Sequence, residues 1–437
     1  MRLKILGLLL LVNMLLNSSC KMDNGNTVDV VQNKTTIEVV TSFFNGYVFR
    51  NAYLEWEEMT GNVVIDNSTM YDEASKGKVL RDFETSSEPD VLYFFNGADA
   101  NPFIKAGKVI SIAEIREYYP EYAMNMDDER IPAATDGVQY AVPVIGFWEA
   151  LYINTEILAA AGVRRPGEDY TWEQFLLDCE AIKSAGFIPI AAALGHVPHY
   201  WWENTVFNHT TPETHLKIPE DFSDEQGQAW YRGMMDIQSL YDDGYFPANT
   251  LTITDDESFN LFVNGQAAFL LDGSWKLLEI VNTFNEDEDA LDKFDITFVP
   301  TRGGRRATDL IGGLSMGYYI TKKAWDDPEK REAAVSFVKY MTSTEVVYRF
   351  AQHTATALID ELDMSERPEF SNLQAKAIKM VSQTTSYTRA VQDEFQGKCR
   401  EPIFDGLADI LAGDTDLESA IRASLLIYEE SGTGSRQ

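Results

Sequence analysis

TIEVVTSFFNGYVFRNAYLEWEEMTGNVVID, residues 36–66, followed by PDVLYF at 89–94, decides the fold class. Residues 36–44 are apolar and rich in β-branched side chains, and they break at Asn45-Gly46, which predicts a short buried strand. Over 47–59 the apolar residues Val48, Ala52, Leu54, Trp56 and Met59 recur at helical spacing, and Gly61 stops the run. Asn62 to Asp66 reads as a second strand. Lys78 to Phe83 ends a second helix, and Pro89 to Phe94 is a third strand. Strands alternating with helices predict a mostly parallel sheet covered by helices. Ligands in such sheets sit beyond the carboxyl ends of the strands. The loops 43–47 and 95–99 fall at those ends.

The same alternation continues. Gln139 to Val144 is a strand candidate leading into GFWEALYINTEILAAAGV. Thr171 is placed as a helix N-cap with Gln174 completing a capping box, and Gly186 closes the helix. Trp172, Phe175, Leu176, Cys179 and Ile182 form its apolar face. FIPIAAA at 187–193 reads as a buried strand, followed by the loop GHVPHYWW. SFNLFVNG ends a helix, and QAAFLLDGSW is a strand closing in a Gly-Ser turn. Asp327 caps a later helix with Pro328 at its first position, and the C-terminal part is largely helical by pattern.

A chain of 437 residues exceeds what one core organises, so two domains are expected. The formal net charge of −33 and pI near 4.4 exclude a nucleic-acid partner, whose phosphates would be repelled, and a broad basic surface for polyanions. Met1 to Lys4 is a short basic start, and Ile5 to Leu16 is apolar except for Gly7 and Asn13, which is the length of a secretory signal. Ser18 and Ser19 lead to Cys20. This resembles a bacterial lipoprotein signal, with residues 1–19 removed and Cys20 lipidated, although Asn17 stands where that pattern has Leu. Residues 20–35 then form a polar tether. No later apolar run reaches the roughly 18 residues a membrane helix needs. Cys179 lies on an apolar helix face and Cys399 among charges. Their pairing stays open, and two isolated cysteines make no zinc site.

Four blocks carry a family resemblance. FWEALYINTEILAAAGVRRPGEDYTWEQFLLDCEAIKSAGFIPI (147–190), FVNGQAAFLLDGSW (262–275), VPTRGGRRATDLIGGLSMGYYI (299–320) and the EAA-containing helix at 332–340 resemble, in order, segments of the extracellular sugar-binding proteins of ABC importers. The resemblance implies a two-lobed, periplasmic-binding-protein-like α/β fold of type II (maltose-binding-protein-like), with ligand in the cleft. It places chain crossings near 143–150, 311–316 and 352–358, so that 36–145 plus 316–352 form one lobe and 146–315 plus 353–437 the other. Pro143 and Gly312-Gly313 suit hinge positions, though strand punctuation explains them equally well.

A neutral sugar needs aromatic plates for its C–H face and planar polar groups for its hydroxyls. The densest such cluster is HVPHYWWEN (196–204), from which His199, Tyr200, Trp201 and Glu203 are candidate contacts, with Trp202 beside them. Trp275 matches a family aromatic that stacks on ligand, and Asp272 precedes it as a hydroxyl acceptor. Phe43, Phe44, Asn45, Phe95, Asn96 and Asp99 are expected on the opposing wall. Trp148, with Phe147 and Glu149, lies at the presumed hinge, and Tyr387 and Arg389 are candidate lid contacts. The histidines 196, 199, 209 and 215 lack an HExxH spacing or a completing ligand set, so neither metal nor cofactor is expected. No nucleophile elbow, phosphate loop or dinucleotide fingerprint is present, so no enzyme is expected. The resemblance implies a monomeric binder, held at the bacterial cell membrane by its N-terminal lipid alone, that closes on a mono- or oligosaccharide and delivers it to permease subunits. Two alternatives stay open: presentation of ligand to a membrane sensor, and a secreted glycoside hydrolase.

Overall fold

A computed structural model describes residues 34–43, 49–70, 73–167, 169–303, 305–351, 354–360, 370–395 and 397–430. Cys20 with the whole leader, Phe44, Asn45 and the side chain of Phe43 lie outside the described residues. Thr35–Gln437 holds together as one unit. Its strands are β1 (Thr36–Phe43), β2 (Val63–Asp66), β3 (Thr69–Met70), β4 (Val91–Phe95), β5 (Phe147–Asn154), β6 (Ile188–Ala191), β7 (Ala267–Gly273), β8 (Phe294–Thr297), β9 (Asp309–Gly313), β10 (Met316–Ile320) and β11 (Ser386–Thr388).

Among the described residues they form two sheets, in the orders β10-β4-β1-β2 with β3 also on β1, and β11-β9-β5-β7-β6 with β8 also on β5. In the first sheet β1 runs parallel to β2, β3 and β4, as the β-α alternation requires. In the second sheet β5 is antiparallel to β7, β8 and β9, while β6 with β7 and β9 with β11 are parallel. The reason is topological. The chain enters this sheet along β5 and leaves it along β9, and two neighbours leading in and out must run oppositely.

Both sheets are covered on both faces, which the alternation of side chains along single strands makes plain. Val91 and Tyr93 of β4 point into one core, and Leu92 and Phe94 into another. Leu151 and Ile153 of β5 join the core built around Trp172, Phe175 and Trp201, whereas Trp148, Ala150 and Tyr152 face a separate core with Phe262 and Phe294. Among the described residues no helix is long and apolar enough to cross a membrane.

Two sequence expectations are corrected, and one question the sequence left open is answered. Residues 139–144 form no strand; Val142 alone exchanges hydrogen bonds with Tyr318, and the ring of Pro143 beside it fixes φ away from the usual antiparallel range. Thr171 caps its helix by accepting from the Gln174 N–H at 3.2 Å, but the Gln174 side chain turns away and donates to Asp178 at 2.8 Å, leaving the box half made. Cys179 and Cys399 are buried in the same core without a disulfide.

The chain passes between the sheets at three places that touch. Gly146 N–H donates to the Ala355 carbonyl at 2.8 Å. A Cβ on Gly146 would meet the carbonyl oxygens of Gly313 at 2.5 Å and Ala355 at 2.9 Å, so only glycine lets the three segments lie this close. Gly313, the last residue of β9, sits at φ +138°, where side-chain-bearing residues are strained.

Candidate ligand site

Aromatic side chains converge where β5 begins and β7 ends. β7 stops at Gly273 and the helix Trp275–Thr283 starts almost at once, so the indole of Trp275 folds back over Gly273, in the space a side chain there would occupy. Phe147, the first residue of β5, stacks on it with centroids 6.2 Å apart and planes 30° apart. Tyr200 lies 5.8 Å from the same ring at 46°. It comes from the helix His199–Phe207, which follows β6, and His199 packs on it at 4.0 Å. Phe147, Trp275 and His199 are partly exposed. Asp272 is buried, accepts the Gly273 N–H, and is held well above the usual carboxylate range by burial and then by Asp255, with Lys276 opposing.

The facing wall is built at the end of β4. Phe95 carries the Lys76 ammonium 5.2 Å above its ring. Asn96 does not face outward: its side chain donates to the Leu314 carbonyl at 3.1 Å and its N–H to Ser315, tying β4 to the β9–β10 crossing. Asp99 is buried between Lys76, in direct ion contact, and Arg400 at 3.1 Å. Burial alone would raise its carboxyl, but the two cations hold it below the usual range. Arg400 follows the 3-10 turn Val391–Glu394 and is itself fixed by donating to the Phe395 carbonyl at 2.9 and 3.1 Å. Next to this pair, burial pushes the His199 imidazole down to about 3, helped by the charges of Arg400 and Lys76. Burial, opposed by Arg400 and reinforced by Glu203 and Asp99, pushes the Asp393 carboxyl up to about 7.

Several candidates are instead inside. Trp148 is 0% exposed and stacked along Tyr152, because strand alternation turns it away from Phe147. Trp201 packs on Phe175, and Trp202 on Trp230 and Phe404. Glu203 is 0% exposed and accepts from the Val391 N–H at 2.9 Å, the Gln392 N–H at 2.8 Å and His215. It therefore anchors the 3-10 turn Val391–Glu394 from below. Glu149 is equally buried, accepts from Asn204 at 2.7 Å, and is raised by burial and by Glu203. Asn204 in turn accepts from Arg305, which lies 4.0 Å over Phe207. Tyr387 is 41% exposed on β11, and Arg389 pairs with Glu394 at 2.7 Å.

His209 pairs with Asp236 and His215 with Glu203, while His196 accepts the Asp255 N–H at 3.2 Å. Among the described residues no group of three metal-ligating side chains gathers. A cavity of about 10 Å³, the size of one water, lies under Tyr200 and is lined also by Trp201, Asp255, Ser258 and Asp272. Sequence reasoning did not find Lys76, Asp393 or Arg400. Each is an isolated charge whose partner is remote in sequence, so no local pattern marks it.

The profile of one family, bacterial extracellular solute-binding protein, matches residues 41–348, well over half of the chain. No curated protein matches by sequence. Among solved structures, a chitin oligosaccharide binding protein superposes with TM-score 0.77 at 19% identity, covering 92% of this chain and 100% of that one. The GacH receptor of Streptomyces glaucescens, described unliganded and with acarbose, gives 0.69 at 17%, covering 91% of this chain and 98% of that one. Lmo0181 of Listeria monocytogenes, bound to cycloalternan, gives 0.67 at 16%, with 92% and 99% covered. With the family matched over residues 41–348, this chain belongs to the bacterial extracellular solute-binding proteins.

Proposed function

We propose that the chain captures a carbohydrate between its two lobes, without chemistry, and hands it to a membrane permease while anchored outside the cell through lipidated Cys20. The lobes are taken as 36–145 plus 316–352 and 146–315 plus 353–437, and the protein acts as a monomer. The observation that carries the reading is the aromatic set Phe147, Tyr200 and Trp275 at the mouth of the second sheet, with His199 beside it and the charged residues Asp99, Lys76 and Arg400 opposite. Aromatic faces suit the C–H face of a sugar ring, and the charged rim suits its hydroxyls. Proteins of this fold whose descriptions name chitin oligosaccharide, acarbose and cycloalternan support the same ligand class. The proposed contacts therefore contract to Trp275, Tyr200, His199, Phe147, Phe95 and Asp99. The aromatic plates belong to one lobe and Phe95 and Asp99 to the other, so ligand touches both walls only on closure, which supplies the differential affinity.

A thermal-shift screen against chitin, xylo- and malto-oligosaccharides tests this, because ligand that binds only the folded state raises its melting temperature. Trp275→Ala is expected to weaken the best ligand by about tenfold or more, the scale of losing a stacked aromatic face, with ligand-free melting nearly unchanged. Equal affinity by calorimetry would remove Trp275 from the site.

A further inference from the structure

The two lobes touch directly where the loop after β4 meets the turn Val391–Glu394. Gly97, just beyond β4, approaches the 3-10 turn Val391–Glu394 so closely that a Cβ on it would lie 2.5 Å from the Asp393 carbonyl oxygen and 3.3 Å from its carbonyl carbon. Gly97 has an extended backbone (φ −84°, ψ −152°), which any residue adopts. The need for glycine here is one of space between lobes. The obstructing atoms are backbone, and that backbone cannot give way easily: Glu203 clamps the turn by accepting from the Val391 and Gln392 N–H groups. Beside this contact Asp99 of the first lobe meets Arg400 of the second at 3.1 Å, with Arg400 oriented by the Phe395 carbonyl and Asp99 by Lys76.

We propose that Gly97 seated on Asp393, together with the Asp99–Arg400 ion pair, is a closure latch that holds the lobes together without ligand. In the open form Gly97 and Asp393 separate, Asp99 keeps Lys76, and Arg400 returns to water. A partly buried, hydrogen-bonded charge pair then adds to closure whatever occupies the cleft, and part of the closing free energy comes from the protein itself. Such a latch raises affinity for every ligand alike, because it enlarges the competent closed fraction before ligand arrives.

The latch rests on the two-lobed closure proposed above, but not on the identity of the ligand, so it is tested without one. Small-angle scattering of the ligand-free full chain is expected to match the closed structure. Gly97→Ala and Arg400→Met are each expected to shift it to a larger radius of gyration, with the closed-to-open ratio falling about tenfold or more. The melting curve of Gly97→Ala should stay close to the parent, whereas Arg400→Met also gives up two bonds to the Phe395 carbonyl and is expected to melt slightly lower. If Gly97→Ala does not fold, Arg400→Met carries the test alone. Scattering that is identical for parent and folded variants, open or closed, overturns the latch. Failure of every sugar in the screen would leave this result standing and count only against the carbohydrate reading.

Discussion

His199 shows how a single residue can report its surroundings. Its imidazole is pushed down to about 3 by burial and by Arg400 and Lys76, against about 6.5 in an unfolded chain. The unfolded state therefore takes up a proton as pH falls through 6.5, and the folded state does not, so His199 costs stability on the acid side. Asp393 acts in the opposite direction. Its carboxyl, raised to about 7 from 3.8, binds its proton earlier in the folded state, so its contribution is present below 3.8 and is lost as pH rises through 7. The two offset each other between pH 6.5 and 4, which hides both in the parent. His199→Gln removes one side. Its melting temperature relative to the parent should rise as pH is lowered from 7 to 5, measured by calorimetry across that range; a flat difference would mean that His199 takes up its proton over the same pH range folded and unfolded. None of this was legible in HVPHYWWEN. The sequence marks an aromatic and polar cluster, but the cations that set the histidine's behaviour sit at positions 76 and 400.

Among the elements, the helix His199–Phe207 divides its cluster between two jobs. Its wide aromatic face has Tyr200 toward the mouth, and Trp201 and Trp202 in the core. Glu203 and Asn204, which look like hydroxyl-binding groups in sequence, are spent inside on the 391–394 turn and on the Glu149–Arg305 network. A strand-end cluster cannot show which of its polar groups a later segment will claim, and that partner lies nearly two hundred residues on. Glu203→Ala leaves two backbone N–H groups and His215 without their acceptor. It should cost about 3–5 kcal/mol, the scale of breaking a buried charged network, read as a lower urea midpoint. Glu203→Gln, which keeps one carbonyl acceptor, should lose less. Equal losses in the two variants would assign the effect to the carboxylate's charge and second acceptor oxygen rather than to its shape. Helix caps, by contrast, were readable from short spacings: Thr171, Asp327 and Gly186 all act as the pattern requires. Trp148 was misplaced because alternation along β5 depends on register, which a fully buried strand does not reveal by polarity.

For the whole molecule, the β-α alternation of residues 36–94 predicts the first sheet well. The antiparallel centre of the second sheet follows from where the chain enters and leaves, which no local signal encodes. The crossings are tightest at Gly146, whose neighbours are the carbonyls of Gly313 and Ala355. Gly146→Ala should therefore lower stability by about 1–3 kcal/mol through overpacking, seen as a reduced denaturant midpoint with an unchanged slope; a midpoint equal to the parent would show that the crossings can separate freely. The two buried thiols carry a different consequence. Cys179 and Cys399 share one core, neither is oxidised to a disulfide, and burial raises the Cys179 thiol. Thiolate is the reactive form, so an alkylating reagent reaches these sulfurs only when that core itself comes apart. Parting of the lobes leaves the core intact. The chain thus carries a built-in clock for global unfolding that is blind to the lobe motion proposed above.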